Sequence, residues 1–388
     1  MKHNWTYKKL GELVDVLNGY AFKSSNYVKD GIRVIRIANV QKGKIVDEAP
    51  AFYPLSAESE LTRYMLHEDD ILLSLTGNVG RVGLLPKEML PAALNQRVAC
   101  LRIKDDTLMF KFLYQFLNSD YFEQKCIESS RGIAQLNMST EWLKDYPLPV
   151  PTLDEQQAIV LELDGINRLI DLQEEQLREY DRLAQSLFYT TFGDPVSNPK
   201  GWEVKKLGEV AETTSGGTPS KAHNEYYEGG TIPWLRSGEV SQGLIYKTEL
   251  FITQAGLDNS SAKIIPVNSV AIAMYGATVG EVGIIKAPMS TNQAVCSIFP
   301  NESVMPIYLL YFLRVMKPHY INIAAGGAQP NISQAIIRNT KLPLPPLALQ
   351  QTFAAQIEAI EQQKTLVRKS LDETRTLLAA RMQYYFNS

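Results

Sequence analysis

The sequence predicts an α+β protein built from two similar mixed α/β domains, each followed by one long helix. Three observations carry this expectation. The 388-residue chain repeats itself, with WTYKKLGEL at 5–13 returning as WEVKKLGEV at 202–210. Each half then holds short runs rich in Val, Ile and Leu ahead of a helical run. Each half closes on a long stretch of strong helix formers. The echo keeps its order throughout. IRVIRIANV (32–40) is answered by IPWLRSGEV (232–240), and TGNVGRVG (76–83) by GATVGEVG (276–283). LNQRVAC (94–100) is answered by TNQAVCS (291–297), GIAQLNMS (132–139) by GAQPNIS (327–333), and LPVPTLDEQQ (148–157) by LPLPPLALQQ (342–351). A period this long is a fused duplication and not a solenoid, which needs many short units. The length agrees, since single cores stop growing near about 250–300 residues.

Taken in order, the segments are a first head (1–150), a first rod (151–193), a second head (194–345) and a second rod (346–388). In the first head, 32–39, 71–76 and 97–103 read as strands, because they are apolar runs bounded by Gly, Asn or Asp. A helix is expected over 108–129. The second head repeats the layout, with strands at 232–237, 270–275 and 294–299 and a helix at 306–321. The Pro-rich steps YPLPVP (146–151) and LPLPP (342–346) read as stiff, non-helical links, because proline restricts itself and its predecessor.

In the first rod, Ile159, Leu163, Ile166, Ile170, Gln173, Leu177, Tyr180, Ala184 and Leu187 alternate steps of four and three. That spacing is a heptad seam. Gly193 and Pro195 stop it. The second rod continues the pattern through Phe353, Ile357, Ile360, Lys364, Val367, Leu371, Thr374, Leu378 and Arg381. We expect the rods to pair as an antiparallel coiled coil about a pseudo-two-fold axis, the polar seam residues fixing register. The alternative is that each rod packs on its own head. A forty-residue helix is roughly 60 Å long, enough to hold two heads well apart.

Net charge is −3, but its distribution says more than its sum. The four segments carry +1, −6, +1 and +1 in order, so the acidity sits in the first rod. Near-neutral heads predict weak nucleic-acid affinity for the chain alone and borrowed phosphate contacts from a partner. Three cysteines (Cys100, Cys126, Cys296) without CxxC spacing predict reduced thiols. The opening residues lack the apolar core of a signal peptide, and no segment approaches the roughly 18 apolar residues of a membrane helix. The expectation is a cytoplasmic protein that does not use the membrane.

Catalytic motifs are missing. The four histidines, His3, His67, His223 and His319, lack metal-ligand spacing. There is no HExxH, no GxSxG, no phosphate loop ending in GK[ST], no NPP[YF]-type segment and no GxGxxG opening a strand–helix unit. GNVGRVG (77–83) reads as a tight turn between strands, since its twin has no lysine. Neither catalytic nor metal-ligating residues are expected.

The order head–rod–head–rod, with W-x3-KLGE opening each head and PLP…QQ opening each rod, resembles the DNA specificity subunits of type I restriction-modification systems. Trp5, Leu10, Gly11 and Glu12, answered by Trp202, Leu207, Gly208 and Glu209, carry the resemblance. So do Gly80/Gly83 and Gly280/Gly283, Asn95/Gln96 and Asn292/Gln293, Pro149/Gln156/Gln157, and GGTPS at 216–220. The first head departs from the pattern, having NGYAFKSS (18–25) where the second has GGTPS. The resemblance covers the full length. It implies a non-catalytic, DNA-binding subunit of a restriction system with two target recognition domains, reading a bipartite asymmetric site. Methyltransferase subunits, carrying S-adenosylmethionine, would dock on the rods, and translocase-nuclease subunits would join them. This chain would bind no cofactor itself. A non-catalytic structural adaptor, and a stand-alone methyltransferase or nuclease, are the alternatives.

Base reading uses Arg or Lys for guanine and Asn or Gln for adenine, on exposed loops. The first-head candidates are Lys42, Lys44, Thr76, Asn78, Arg81, Asn95, Gln96, Arg97, Arg131, Gln135 and Asn137. Those of the second head are Lys221, Tyr275, Thr278, Asn292, Gln293, Gln329 and Asn331. Residues shared by both heads cannot encode a difference between half-sites, so Asn95/Asn292 and Gln135/Gln329 are expected to support loops or touch phosphate. Specificity belongs where the heads diverge: Asn78/Arg81 against Thr278/Glu281, Arg97 against Ala294, and Lys42/Lys44 against Gln242/Leu244. The aromatics Phe112, Tyr114, Phe116, Tyr308, Tyr311 and Phe312 read as core. Glu174, Glu175, Arg178, Glu179 and Arg182 form an outward charged face, either a docking strip or simply solvated.

Overall fold

A computed structural model describes residues 5–130, 136–324 and 331–387. The chain divides into two compact units, one made of 1–174 with 369–388 and the other of 175–368. Both contain mixed helix and strand.

The first unit is built on a four-stranded antiparallel sheet in the order Val14–Asn18, Val98–Ile103, Ile71–Ser74, Val82–Leu84. Its middle strand ILLS is apolar without alternation because both faces are covered. Ile71 and Leu73 join the core under the helices with Leu10, Phe112, Phe116 and Phe122. Leu72 faces the other way and meets Ile35, Val40, Leu85 and Cys100. Successive side chains on a strand point to opposite faces, so one short strand serves two cores. A three-stranded sheet (Phe52–Tyr53, Ile32–Ile35, Ala92–Leu94) closes the second core, its last pair parallel.

The second unit repeats the plan with longer sheets. Five strands run in the order Ala211–Ser215, Val295–Pro300, Val270–Ala273, Val282–Ile285, Leu244–Ile245. Four more run Phe251–Ile252, Ile232–Leu235, Met289–Thr291, Ile264–Ile265. Val270 and Ile272 face one core, and Ala271 and Ala273 the other.

One expectation needs correction. The helix expected over 108–129 is two helices, Phe110–Leu117 and Asp120–Ser129. Ser119 makes the break: its hydroxyl donates to Phe116 O and accepts from Phe122 N–H, capping the second helix. The Pro-rich steps are strands as well as links. Pro147–Val150 pairs antiparallel with Thr6–Lys9, and Lys341–Leu344 with Glu203–Lys206. Each ribbon has only two strands, so a proline N on the open edge sacrifices no ladder bond.

Two helices of forty residues, Leu153–Phe192 and Leu347–Phe386, follow the ribbons. Gln156 and Gln350 anchor their first turns, both fully buried. Gln156 donates to Thr107 O and Pro151 O and accepts from Met109 N–H. Gln350 makes the same three bonds, to Ser303 O, Pro345 O and from Met305 N–H. The second Gln of each QQ pair is exposed. In the first unit, Glu162 meets Arg381, and Gln173 donates to Ser370 at 2.8 Å, so these segments run in opposite directions. Asp181 meets Lys364 and Phe188 meets Phe353 in the second unit, again in opposite order.

Each head also receives an aromatic from a helix C-terminus. Phe386 lies edge-on to Phe112 and Phe116, with centroids at 5.8 and 5.4 Å. Phe192 packs on Tyr308 at 4.8 Å and on Phe353 at 5.2 Å. The first head therefore packs against the start of the helix that follows it and the end of the other, and not on its own rod alone.

Candidate nucleic-acid interface

Among the described residues, Thr76, Asn78, Arg81, Asn95, Gln96, Arg97 and Asn137 gather at one end of the four-stranded sheet. The turn between Ile71–Ser74 and Val82–Leu84 carries Thr76, Asn78 and Arg81. Two glycines shape it, Gly77 at φ +70° and Gly80 at φ +83°. A Cβ on Gly80 would lie 2.8 Å from Cys126 Cβ, so the turn needs both the positive φ and the missing side chain. Ser74 locks the interior: its hydroxyl donates to Asn78 O and accepts from Arg81 N–H at 3.0 Å. Thr76 bridges to Asn137, and Leu75 N–H donates to Arg97 O, which brings 95–97 and 137 beside the turn. Asn78, Gln96, Arg97 and Asn137 are exposed. The Thr76 hydroxyl is buried and has no partner among the described residues.

Asn95 and Asn292 behave alike. Each accepts from the backbone N–H two residues on, Arg97 and Ala294, at 3.1 Å. This Asx turn closes a loop and takes one of the two lone pairs of the amide oxygen, in keeping with a loop-building role. Gly19 and Gly216 approach the same turn, where a Cβ would meet Asn95 C at 2.2 Å or Thr291 O at 2.1 Å. NGYAF thus reproduces in the first head the close approach that GGTPS makes in the second.

The turn 41–44 lies along the sheet edge, with Gly43 N–H donating to Val82 O. Lys44 is exposed. Lys42 is also exposed, but its ammonium is held by Asp120 and by Glu123 at 2.7 Å. Its charge is thus compensated within the head, which weakens it as a DNA contact. Gln41, not singled out from the sequence, accepts from the Arg81 guanidinium at 2.5 Å. No local signal marks a glutamine paired with an arginine forty positions away. Arg131, Gln135 and Gln329 lie outside the described residues.

The second head places Tyr275, Thr278, Asn292, Gln293 and Asn331 at the matching end of its sheet, with Tyr275 bridging to Asn331. Tyr275, Gln293, Asn331 and Lys221 are exposed. Here the turn is one residue longer. Gly276 and Gly280 take the positive-φ positions of Gly77 and Gly80 but stand four residues apart. Glu281, in the place of Arg81, is paired with Lys317 at 2.6 Å.

Among the described residues no group of His, Cys, Asp or Glu could hold a metal, and no helix is long and apolar enough to cross a membrane. The three cysteines are buried and free, and burial pushes their thiols up, that of Cys296 to about 12. A thiol so shifted is a poor nucleophile. Of the head aromatics expected in the core, Phe112, Phe116, Tyr308, Tyr311 and Phe312 are buried, while Tyr114 is half-buried and donates to Gly43 O.

On the long helices, Ile159, Leu163, Phe353, Ile357, Ile360 and Leu371 are buried, and Ile166, Ile170, Leu177 and Val367 are half-buried. Of the charged face, Glu175 pairs with Arg178 and Arg182, and Arg182 with Glu179, while Glu174 pairs instead with Arg375 of the second long helix at 2.8 Å.

Comparison with known proteins points one way. The family described as "Type I restriction modification DNA specificity domain" matches residues 2–180 and again 199–374. The specificity subunit of the type I restriction enzyme EcoR124I/EcoR124II of Escherichia coli is 25% identical over 295 residues, covering 72% of this chain and 70% of that protein. The putative MjaX specificity subunit of Methanocaldococcus jannaschii is 23% identical over 392 residues, covering 95% and 90%. Among solved structures, the type I restriction-modification S subunit from M. genitalium superposes with a TM-score of 0.55 at 16% identity, covering 98% and 96%. A chain from a structure described by complex assembly and conformational transition of the type I R-M system gives 0.62 at 21%, covering 98% and 97%. At these identities the two structures speak for the fold.

Proposed function

We propose, from the premise that this chain belongs to the type I restriction-modification DNA specificity family, that its two heads read the two parts of an asymmetric DNA site. The observation that carries this reading is the duplicated head whose two copies share a sheet plan while the side chains at the glycine turn diverge, Arg81 against Glu281. A shared scaffold with different side chains is what reading two different half-sites requires. Residues 1–150 and 194–345 are the recognition domains, and 151–193 and 346–388 the helical spacers. The helices form one antiparallel coiled coil that sets the unread spacer. Gln173 with Ser370, and Lys364 with Asp181, fix its register, a use to which buried polar seam residues are suited.

Methyltransferase subunits, with S-adenosylmethionine, dock on the helices, and translocase-nuclease subunits add to that core in the cytoplasm. Leu161, Leu169 and Leu172, 64%, 46% and 57% exposed on the first helix, support such docking, because large apolar groups this open suit a protein partner. Arg81 and the exposed candidates Lys44, Asn78, Gln96, Arg97 and Asn137 of the first head, with Lys221, Tyr275, Gln293 and Asn331 of the second, supply the DNA contacts.

Sequencing of modified bases in cells making this chain with a methyltransferase subunit tests the function. Methyladenine at one two-part, asymmetric motif is the expected result. A continuous motif, or the same motif when this chain is omitted, would refute it.

A further inference from the structure

We propose that Arg81 reads a guanine in the half-site of the first head and that Gln41 is the positioning residue that aims it. The proposal rests on the DNA-reading function above. Three features of Arg81 set it apart from the other cations of this head.

Its backbone is pinned on both sides, the N–H donating to the Ser74 hydroxyl at 3.0 Å and the carbonyl accepting from Ser74 N–H at 3.0 Å. The guanidinium donates through Nη1 to Gln41 Oε1, and among the described residues it has no other polar partner. A guanidinium carries five N–H donors in a planar fork, so one bond to Gln41 orients the plane and leaves an edge for a ligand. Lastly, the side chain lines an open groove of about 450 Å³ with Gln41, Lys42, Lys44, Glu48 and Glu123. Lys42 is neutralised there by Asp120 and Glu123, which leaves Arg81 and Lys44 as the cations facing the groove. A phosphate contact needs only a positive charge within reach. Reading a base edge needs a fork held in one plane, and the guanine O6/N7 edge is the match for an arginine so held.

Of this device the second head keeps only the backbone bond to the carbonyl of position 281. Ala273 stands where Ser74 does, donating its N–H to Glu281 O at 2.9 Å but offering no hydroxyl. The turn is longer by a residue, and the Glu281 carboxylate is closed off by Lys317 at 2.6 Å. Position 281 therefore reads no base, and the two heads differ in mechanism at this turn.

The test uses the full chain co-expressed with its methyltransferase subunit, with methyladenine sequencing of the host genome and size-exclusion chromatography to confirm assembly. The wild-type motif contains a guanine that Arg81→Ala no longer discriminates, by about 10- to 100-fold, while the remaining positions stay unchanged. Gln41→Ala relaxes the same position to a lesser degree, and Glu281→Gln changes neither half. An intact motif in assembled Arg81→Ala overturns the proposal. So does a uniform loss of methylation with the motif intact, which is the signature of a phosphate contact. If Arg81→Ala does not assemble, Arg81→Lys is read by the same criterion, since lysine keeps the charge and loses the fork. A wild-type complex that gives no bipartite motif refutes the DNA-reading function instead.

Discussion

Gln156 and Gln350 show how a motif legible in the sequence acquires its reason. The QQ pair is visible at once, but only the structure separates a fully buried residue with three hydrogen bonds from its exposed neighbour. Replacing Gln156 or Gln350 by Leu strands the backbone groups at Met109 and Thr107, or at Met305 and Ser303. We expect each change to lower unfolding free energy by roughly 2–3 kcal/mol, measured by urea titration, because unsatisfied buried groups cost more than a bond gains. Gln157→Leu, at an exposed position, should shift it by less than about 0.5 kcal/mol. Equal effects at 156 and 157 would contradict the anchoring role. The glycines follow the same logic. Gly80→Ala meets Cys126 as well as a disfavoured φ, whereas Gly43→Ala meets only the φ of +76° in open space. Gly80→Ala should therefore be the more destabilising of the two by thermal unfolding.

At the scale of elements, the two long helices were readable because helix propensity and spacing are local, and so were the strands that form at Ile71–Ser74 and Val270–Ala273. The break at Ser119 and the strand character of the Pro-rich steps were not readable. Their causes are a serine that caps instead of continuing a helix and a pairing partner some 140 residues away. Phe386 and Phe192 are the terminal wedges of the long helices, both nearly fully buried. Truncating either to Ala should cost about 3–5 kcal/mol, read by thermal or denaturant unfolding. The buried Lys364 is compensated by Asp181 at 2.7 Å and Glu361 at 2.8 Å. Lys364→Met removes the cation and leaves the half-buried Glu361 carboxylate without it, so it should lower stability, by less than the about 3–5 kcal/mol of a fully buried pair because Asp181 is exposed. Unchanged or raised stability of Lys364→Met in a denaturant titration would contradict that role.

For the molecule as a whole, the clearest dependence on pH lies on the alkaline side. Burial pushes Tyr320, Tyr311 and Cys296 up to about 12. An acid whose folded pKa is raised stabilises the fold while it stays neutral. That contribution is full below the unfolded values, about 8.5 for cysteine and 10 for tyrosine, and is lost as pH rises through about 12. Circular dichroism should show cooperative unfolding between about pH 10 and 12.5, and an unchanged spectrum at pH 12.5 would contradict it. On the acid side, hydrogen bonds from Arg381 and Tyr385 hold the Glu162 carboxyl below its usual range. Its contribution is present above the ordinary carboxylate pKa and fades as pH falls through the lowered value. It is small, since the group is well exposed and screened by solvent.

The sequence by itself determined the duplication, the two long helices and the glycines of the turn. These depend on patterns a few residues long or on repetition along the chain. Tertiary structure alone decided which helix end wedges into which head, which cations are neutralised, and which side chain aims Arg81. Phe386 reaches Phe112, Glu123 reaches Lys42 and Gln41 reaches Arg81 across separations of tens to hundreds of residues. No local propensity encodes such partners. They are selected only when the folded sheet and helices bring them within hydrogen-bonding or van der Waals range.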